Sequence, residues 1–217
     1  MVKSVIFDMD GLMFDTERVW ATLWAPALAT LGLPYKQGLD VAARGTAGDS
    51  MRAVLRRFYG PDCDPDAIIA ALRAQAATAF QAPPPKMPGL DELVAYLEQR
   101  HIPMAVASSS RMASILHHLN GWDMARHFAV IMSGEQFSAS KPDPEIFLRT
   151  AEALGTPPCQ TLVLEDSYNG VRAGAAGGFI TVMVPDLAPA NDEMRQLYTA
   201  ECSSLCEVQR LLEQGAL

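Results

Sequence analysis

Short apolar runs alternate with longer amphipathic stretches along most of the chain, a pattern typical of strands joined by crossover helices. The runs are rich in Val, Ile and Leu, as expected for strands of a parallel sheet that is covered on both faces. The predicted strands are Ser4–Phe7, Met104–Ser108, Ala129–Ser133, Thr161–Glu165 and Phe179–Val184. The predicted helices between them are Leu90–Arg100, Met112–Leu119, Pro144–Leu154 and Tyr168–Ala176. The pattern predicts an α/β protein built on a doubly wound parallel sheet.

Residues 15–85 interrupt this alternation, because they carry Ala-rich helical patterns and no strand pattern. A single crossover helix would be enough to join the first two strands, so the segment is predicted to be an inserted helical domain. Its predicted helices are Glu17–Leu31, Leu39–Ala43, Ser50–Phe58 and Ala67–Phe80, and a run of three prolines, 83–85, follows them as a stiff linker. The predicted organisation is a Rossmann-like core, residues 1–14 and 86–217, with an inserted helical cap domain, residues 15–85.

Composition and charge exclude several classes of function. Apolar residues make up 49% of the chain and charged residues 19%, as in ordinary globular proteins. The formal charge of −8 argues against nucleic acid or an anionic membrane as the main partner. The longest uncharged stretch, residues 19–35, is shorter than a membrane-spanning helix, and we expect Pro26 to interrupt a helix there. We therefore expect a cytoplasmic protein with neither a nucleic-acid nor a membrane partner.

Two carboxylates follow the first predicted strand. Asp8 and Asp10 are two residues apart, so in an extended chain their side chains point the same way. They lie at the carboxyl end of the strand, where open α/β sheets bind their ligands. Two close anions are unfavourable unless a proton or a cation relieves them, and Mg²⁺ prefers such oxygen ligands. The pair by itself is equally compatible with a strand end followed by a turn at Asp10 and Gly11.

A second acidic pair favours the metal site over the plain turn. Glu165 and Asp166 end the predicted strand Thr161–Glu165, directly before a predicted helix. If this strand lies beside the first one, the carboxylates of both pairs gather at one edge of the sheet, which costs stability without a metal. The sequence therefore predicts a Mg²⁺ site, although Asp166 or Ser167 could instead serve as a helix N-cap.

Two further strand ends offer groups that bind phosphate. Ser108 and Ser109 close one strand and precede a helix, whose first N–H groups favour an anion. Lys141 stands in a loop that Pro142 and Pro144 restrict, which favours an ammonium aimed at a ligand. A serine N-cap and a solvated surface lysine are the plainer alternatives.

Taken in order, these residues resemble the motifs of the haloacid dehalogenase superfamily of phosphotransferases. The matching segments are Asp8-Met9-Asp10-Gly11, Ser108, Lys141-Pro142 and Glu165-Asp166-Ser167. The longer strings 14–17, 141–147 and 165–171 are similar to the beta-phosphoglucomutase-like branch, which consists mostly of small-molecule phosphatases that are often monomers. The resemblance covers essentially the whole chain, because the helical insert lies where that family has its cap domain.

The resemblance implies a role for each acidic residue. Asp8 would be the nucleophile that forms an aspartyl-phosphate, and Asp10 would be the general acid and then the general base. The implied cofactor is Mg²⁺, held by Asp8, the backbone carbonyl of Asp10 and Asp166. Glu165 would bind the metal directly or support it from nearby.

The same resemblance implies how the substrate is held. Ser108, the backbone at Ser109, and Lys141 would bind the phosphoryl oxygens. The cap would select the substrate, a small phosphate ester. The candidate substrate-contacting residues of this part of the chain are Phe14, Trp20, Arg44, Thr46 and Met51, of which Trp20 and Arg44 are the principal ones.

Two positions separate the candidate reactions. Dehalogenases of the superfamily lack the second aspartate, so Asp10 argues against halide chemistry. The mutases of the branch carry a histidine at the position of Trp20. They also carry an arginine in the cap loop that follows a glycine like Gly45, and this chain has Ala47-Gly48 in that loop instead. We therefore predict a Mg²⁺-dependent phosphatase that hydrolyses a sugar phosphate or a nucleotide-like monophosphate. A sugar-phosphate mutase and a non-catalytic phosphate-binding protein are the alternatives.

Overall fold

A computed structural model describes residues 2–44, 46 and 48–217. The chain divides into two compact units, one formed by Met1–Asp15 with Pro85–Leu217 and the other by Thr16–Pro84. Gly45 and Ala47, on which part of the comparison with the mutases rests, lie outside the described residues. No helix among the described residues has the length and apolar character needed to cross a membrane.

The first unit is built on a parallel sheet. Among the described residues the strands form one six-stranded sheet with the order β3-β2-β1-β4-β5-β6. The strands are β1 (Ser4–Phe7), β2 (Met104–Ser108), β3 (Val130–Ser133), β4 (Thr161–Glu165), β5 (Ile180–Met183) and β6 (Ala200–Glu201). The predicted α/β class is confirmed, and β1, β2 and β4 have the predicted bounds. The sequence prediction did not include β6, because two residues are too short to show a period.

The second unit is helical. Its helices are α1 (Thr16–Ala29), α2 (Leu39–Ala43), α3 (Gly48–Tyr59) and α4 (Pro65–Ala79). The expected interruption at Pro26 was wrong, because α1 continues through it. Pro26 is exposed, whereas the opposite face of α1 buries Leu23, Trp24, Ala27 and Leu28. The packing of this buried face stabilises the helix although the proline removes a backbone hydrogen bond.

Helices cover both faces of the sheet in the first unit. They are α5 (Leu90–Gln99), α6 (Met112–Gly121), α7 (Glu145–Leu154), α8 (Tyr168–Ala176), α9 (Asp192–Leu197) and α10 (Leu205–Glu213). Val5 and Phe7 of β1 belong to a buried cluster with residues of α5, α6 and α10. Ile6, between them, belongs to a second cluster with residues of α7 and α8. Successive side chains of a strand point to opposite faces, so β1 is buried on both sides.

The core of the second unit gives a stability prediction. Leu55 in α3 is fully buried, with 0% of its surface exposed, whereas Val41 in α2 is 62% exposed. Leu55→Ala leaves a cavity, so we expect it to lower the free energy of unfolding by about 2–5 kcal/mol. Val41→Ala, the matched control, should change it by less than about 0.5 kcal/mol. Urea unfolding followed by tryptophan fluorescence measures both, and equal losses for the two variants would contradict the assignment.

Candidate active site

The carboxyl ends of β1, β2 and β4 and the loop after β3 bring most of the predicted site residues together. β1 lies between β2 and β4, and the strand order reverses around it. The Asp8 N–H donates to the Leu164 carbonyl at 3.0 Å, which fixes Asp8 beside the end of β4. Open α/β sheets bind ligands at such a reversal, outside the carboxyl ends of the strands.

Lys141 is buried between two carboxylates. Its Nζ donates to Oδ1 of Asp8 at 2.6 Å and to Oε1 of Glu165 at 2.7 Å. It also donates to the Ala107 carbonyl at 3.1 Å, and it lies 4.5 Å from the centre of the Phe147 ring. The side chain of Lys141 is only 5% exposed, so the ammonium has exchanged water for fixed protein partners. Lys141 is therefore not a solvated surface lysine.

This burial changes the protonation of the cluster. Burial raises the pKa of Asp8 to about 8, an effect that Lys141 opposes and that Glu165 and Asp10 reinforce. Burial alone would lower the pKa of Lys141, but the charges of Asp8 and Glu165 outweigh it and raise that pKa above its usual value. Lys141 therefore remains an ammonium, and an additional cation would favour the carboxylate form of Asp8.

Glu165 is held by both of its oxygens. Oε1 accepts from Lys141, and Oε2 accepts from the Ser167 N–H at 2.9 Å and from the Ser167 hydroxyl at 2.8 Å. The residue is completely buried. A Cβ at Gly170 would lie 1.8 Å from the Glu165 carboxylate, so the missing side chain of Gly170 is what leaves room for it. In this arrangement Glu165 is a counter-charge that positions Lys141.

Asp10 is held by serines of the loop after β2. Its Oδ2 accepts from the Ser110 hydroxyl at 2.6 Å and from the Ser108 hydroxyl at 3.3 Å. Ser108 in turn accepts from the Ser110 N–H at 3.0 Å. Sequence reasoning named Ser108 and Ser109 but missed Ser110, and the only available signal was the run of three serines. Ser109 itself is exposed. We call Ser108–Ser110 the serine loop.

The acidic residues at this edge have the chemistry of a site for a hard divalent cation. Asp8, Glu165 and Asp166 each offer a carboxylate oxygen, and these oxygens lie within 4.8 Å of one another. The approach of Asp166 depends on Gly11, which has a φ of +83° and whose added Cβ would lie 2.4 Å from Oδ2 of Asp166. An oxygen donor set of this kind suits Mg²⁺, which retains several waters. The residues present therefore fit the predicted metal.

Most of the candidate substrate-contacting residues line a cavity of about 280 Å³ within the second unit. Trp20, Arg44, Thr46 and Met51 all contribute to its wall. The Arg44 Nε lies 3.2 Å from Oε2 of Glu17, which also lines the cavity. Phe14 does not belong to this group, because it is fully buried in the core of the first unit.

Residues 5–184 match the family of haloacid dehalogenase-like hydrolases. The chain belongs to this family. Hexitol phosphatase B of Escherichia coli K12 is 29% identical to this hydrolase over 95% of the chain and 94% of its own length. The phosphorylated carbohydrates phosphatase of Thermotoga maritima is 28% identical over 82% of each protein.

A solved structure shows the same fold for this hydrolase. A HAD family hydrolase of Deinococcus radiodurans R1, determined with bound phosphate and sodium, superposes with a TM-score of 0.81. It is 23% identical in sequence, and the match covers 99% of this chain and 96% of that protein. At this identity the likeness supports the fold, whereas the family assignment rests on the match of residues 5–184.

The space around Glu165 gives a second prediction. Gly170→Ala would push the Glu165 carboxylate away from Lys141 and Ser167, so we expect a loss of about 1–3 kcal/mol in the free energy of unfolding. In a Glu165→Ala background the carboxylate is absent, and the same Gly170→Ala change should cost little or even stabilise the helix. Urea unfolding of the four proteins in this double-mutant cycle measures the coupling. Additive effects would show that Gly170 does not make room for Glu165.

Proposed function

We propose that this hydrolase is a Mg²⁺-dependent phosphatase that cleaves small phosphomonoesters through an aspartyl-phosphate on Asp8. The observation that carries the proposal is the buried contact of Asp8 with Lys141 at the reversal point of the sheet, in a chain of this family. Because Asp8 is fixed by the strand and by Lys141, it can attack phosphorus without reorganising its surroundings.

The first step transfers the phosphoryl group to the protein. An oxygen of Asp8 attacks phosphorus in line, the bond between phosphorus and the ester oxygen breaks, and Asp10 gives its proton to the leaving oxygen. Lys141 stabilises the charge on the phosphoryl oxygens, and the hydroxyl of Ser108 and the backbone at Ser109 add hydrogen-bond donors. Glu165 keeps the ammonium of Lys141 in place during this step.

The second step releases phosphate. Asp10, now a carboxylate, accepts a proton from water as that water attacks the phosphorus of the aspartyl-phosphate. The bond to Asp8 breaks, which regenerates the carboxylate and yields inorganic phosphate. Asp8, the backbone carbonyl of Asp10 and Asp166 would hold Mg²⁺, with Glu165 as a further oxygen. When bound, the metal offsets the negative charge that the phosphoryl group brings to this acidic edge.

The cap role of the second unit belongs to the same proposal. Its cavity combines the Trp20 ring, which packs on Phe80 at 5.3 Å between ring centres, with the charged pair of Arg44 and Glu17. A flat aromatic surface beside paired donors and acceptors suits a polyhydroxylated leaving group. The names of the two relatives, a hexitol phosphatase and a phosphorylated carbohydrates phosphatase, support a sugar or sugar-alcohol phosphate. The net charge of −8 argues against a nucleic acid as the substrate. We propose that the enzyme acts as a cytoplasmic monomer.

The same cavity favours hydrolysis over the mutase reaction. A mutase must hold a second phosphate, which requires unneutralised positive charge. The cavity wall carries two arginines, Arg44 and Arg73, and two carboxylates, Glu17 and Asp40, so its formal charges balance. Trp20 adds no charge, and Glu17 lies beside Arg44. Release of free phosphate without need of a bisphosphate activator distinguishes the two reactions.

The mechanism predicts which changes abolish turnover. Asp8→Asn removes the nucleophile, so we expect hydrolysis of p-nitrophenyl phosphate to fall by roughly 10³-fold or more. Asp192→Asn, at a side chain that is 99% exposed, should retain full activity as the matched control.

A chelator should abolish the turnover of the wild type, and added Mg²⁺ should restore it. Mg²⁺ should also raise the melting temperature of the wild type more than that of Asp166→Asn, which lacks one of the proposed metal ligands. Equal turnover of the wild type, Asp8→Asn and the chelated enzyme would refute the mechanism.

The cap cavity predicts a change in specificity. Arg44→Ala and Trp20→Ala should each lower kcat/KM for a hexose or hexitol phosphate by about tenfold, since each removes a substrate contact. For p-nitrophenyl phosphate, which lacks the hydroxyl groups, the change should be smaller than about threefold. Arg56→Ala, at an exposed arginine on α3, serves as the control. An equal loss on both substrates would argue against a role in selection.

A further inference from the structure

The serine loop rests on a second segment that the predicted roles do not involve. We call Ser133–Gln136, which begins at the last residue of β3, the anchor segment. Ser108 and Ser133 are partners in the register of β2 and β3, so the two segments leave the sheet side by side. A Cβ on Gly134 would lie 3.1 Å from the Cα of Ser109, which shows that the two backbones approach closely.

Ser133 makes the central contact between the two segments. Its hydroxyl donates to the Ser110 carbonyl at 2.7 Å, and the residue is completely buried. Its own N–H donates to Oε1 of Gln136 at 2.8 Å, which holds Ser133 from the other side. A second contact is made by Glu135, whose Oε2 accepts from the Met112 N–H at 3.1 Å, just beyond the serine loop.

These contacts form a connected path to the proposed general acid. Ser133 holds the carbonyl of Ser110, and the hydroxyl of Ser110 holds Oδ2 of Asp10 at 2.6 Å. We propose that Ser133 is a positioning residue for Asp10 that acts through Ser110. The inference rests on the proposed function, in which Asp10 transfers the proton.

The chemistry explains why this position matters. Oδ2 of Asp10 accepts a hydrogen bond from the hydroxyl of Ser110, so the transferable proton belongs on the other oxygen, Oδ1. The orientation of the carboxyl group relative to the serine loop therefore decides where the proton is presented. A buried hydroxyl that fixes the backbone of Ser110 sets that orientation without touching the substrate.

Ser133→Ala is the test, and Ser4→Ala is its matched control. Ser4 is also a completely buried strand serine, and its hydroxyl bonds to Thr156 at 2.6 Å and Thr161 at 3.0 Å, at the amino end of β1. Both variants lose buried hydrogen bonds, so both should lower the melting temperature. On an alkyl or sugar phosphate we expect Ser133→Ala to lower kcat by about tenfold to a hundredfold with KM within about threefold. Ser4→Ala should leave kcat within about twofold.

A double-mutant cycle identifies the path. If Ser133 acts through Ser110, then Ser133→Ala should lower kcat further by less than about twofold in a Ser110→Ala background. If the losses in kcat from Ser133→Ala and Ser110→Ala multiply, Ser133 does not act through Ser110. If Ser133→Ala keeps the wild-type kcat and lowers the melting temperature as much as Ser4→Ala does, Ser133 is only structural. Ser133→Cys, which keeps the size and weakens the donor, provides the same comparison where the alanine variant does not fold.

A crystal structure of Ser133→Ala tests the placement without any turnover. We expect the contact between the Ser110 hydroxyl and Oδ2 of Asp10, 2.6 Å in the parent protein, to be lost or rearranged. An unchanged contact would overturn the inference even if the enzyme were active. Conversely, an inactive wild type would refute the phosphatase proposal, whereas this structural comparison would still decide the positioning role.

Discussion

The buried ion cluster of Asp8, Lys141 and Glu165 is the constraint on which the rest of the first unit depends. Burying a carboxylate is costly, and the ammonium of Lys141 offsets that cost for two carboxylates at once. Removing one partner from such a buried arrangement costs about 3–5 kcal/mol in typical proteins, because a buried charge is left uncompensated. The loop after β3 must therefore return to the centre of the sheet, where Ala107 and Phe147 also contact Lys141.

Parallel connectivity makes this arrangement possible. Each of β1, β2 and β4 ends on the same edge of the sheet, since parallel strands share a direction, and the reversal of strand order opens a space beside β1. Two glycines allow the final approach of the charged groups: Gly11 admits Asp166, and Gly170 admits Glu165. The motif glycines are thus explained by the carboxylates that occupy the space a side chain would fill.

In the proposed mechanism, the nucleophile and the general acid are held in position by different kinds of contact. Asp8 is held by a strand end and by an ion pair, which suits a nucleophile that must not move. Asp10 is held by hydroxyls of the serine loop, and that loop is supported by Ser133. Selection of the leaving group is assigned to the cavity of the second unit, whose wall includes Trp20 and Arg44. Residues that line this cavity can be substituted without changing the charged residues at the edge of the sheet.

The amino-acid sequence by itself was sufficient to predict the α/β class, the bounds of β1, β2 and β4, and the family. Buried strands and their terminal acids leave a local pattern, and the carboxyl ends of a parallel sheet necessarily share one edge. The pattern also predicted the helix Glu17–Leu31, but the interruption expected at Pro26 is absent, and the burial of Phe14 was not predicted, because packing against distant residues decided both.

Only the tertiary structure showed that Glu165 holds Lys141, that Ser110 holds Asp10 and that Ser133 supports Ser110. Such contacts join residues that are distant in sequence, and no spacing rule encodes them. They depend on strand order and register, which bring specific side chains within hydrogen-bond distance after the chain has folded.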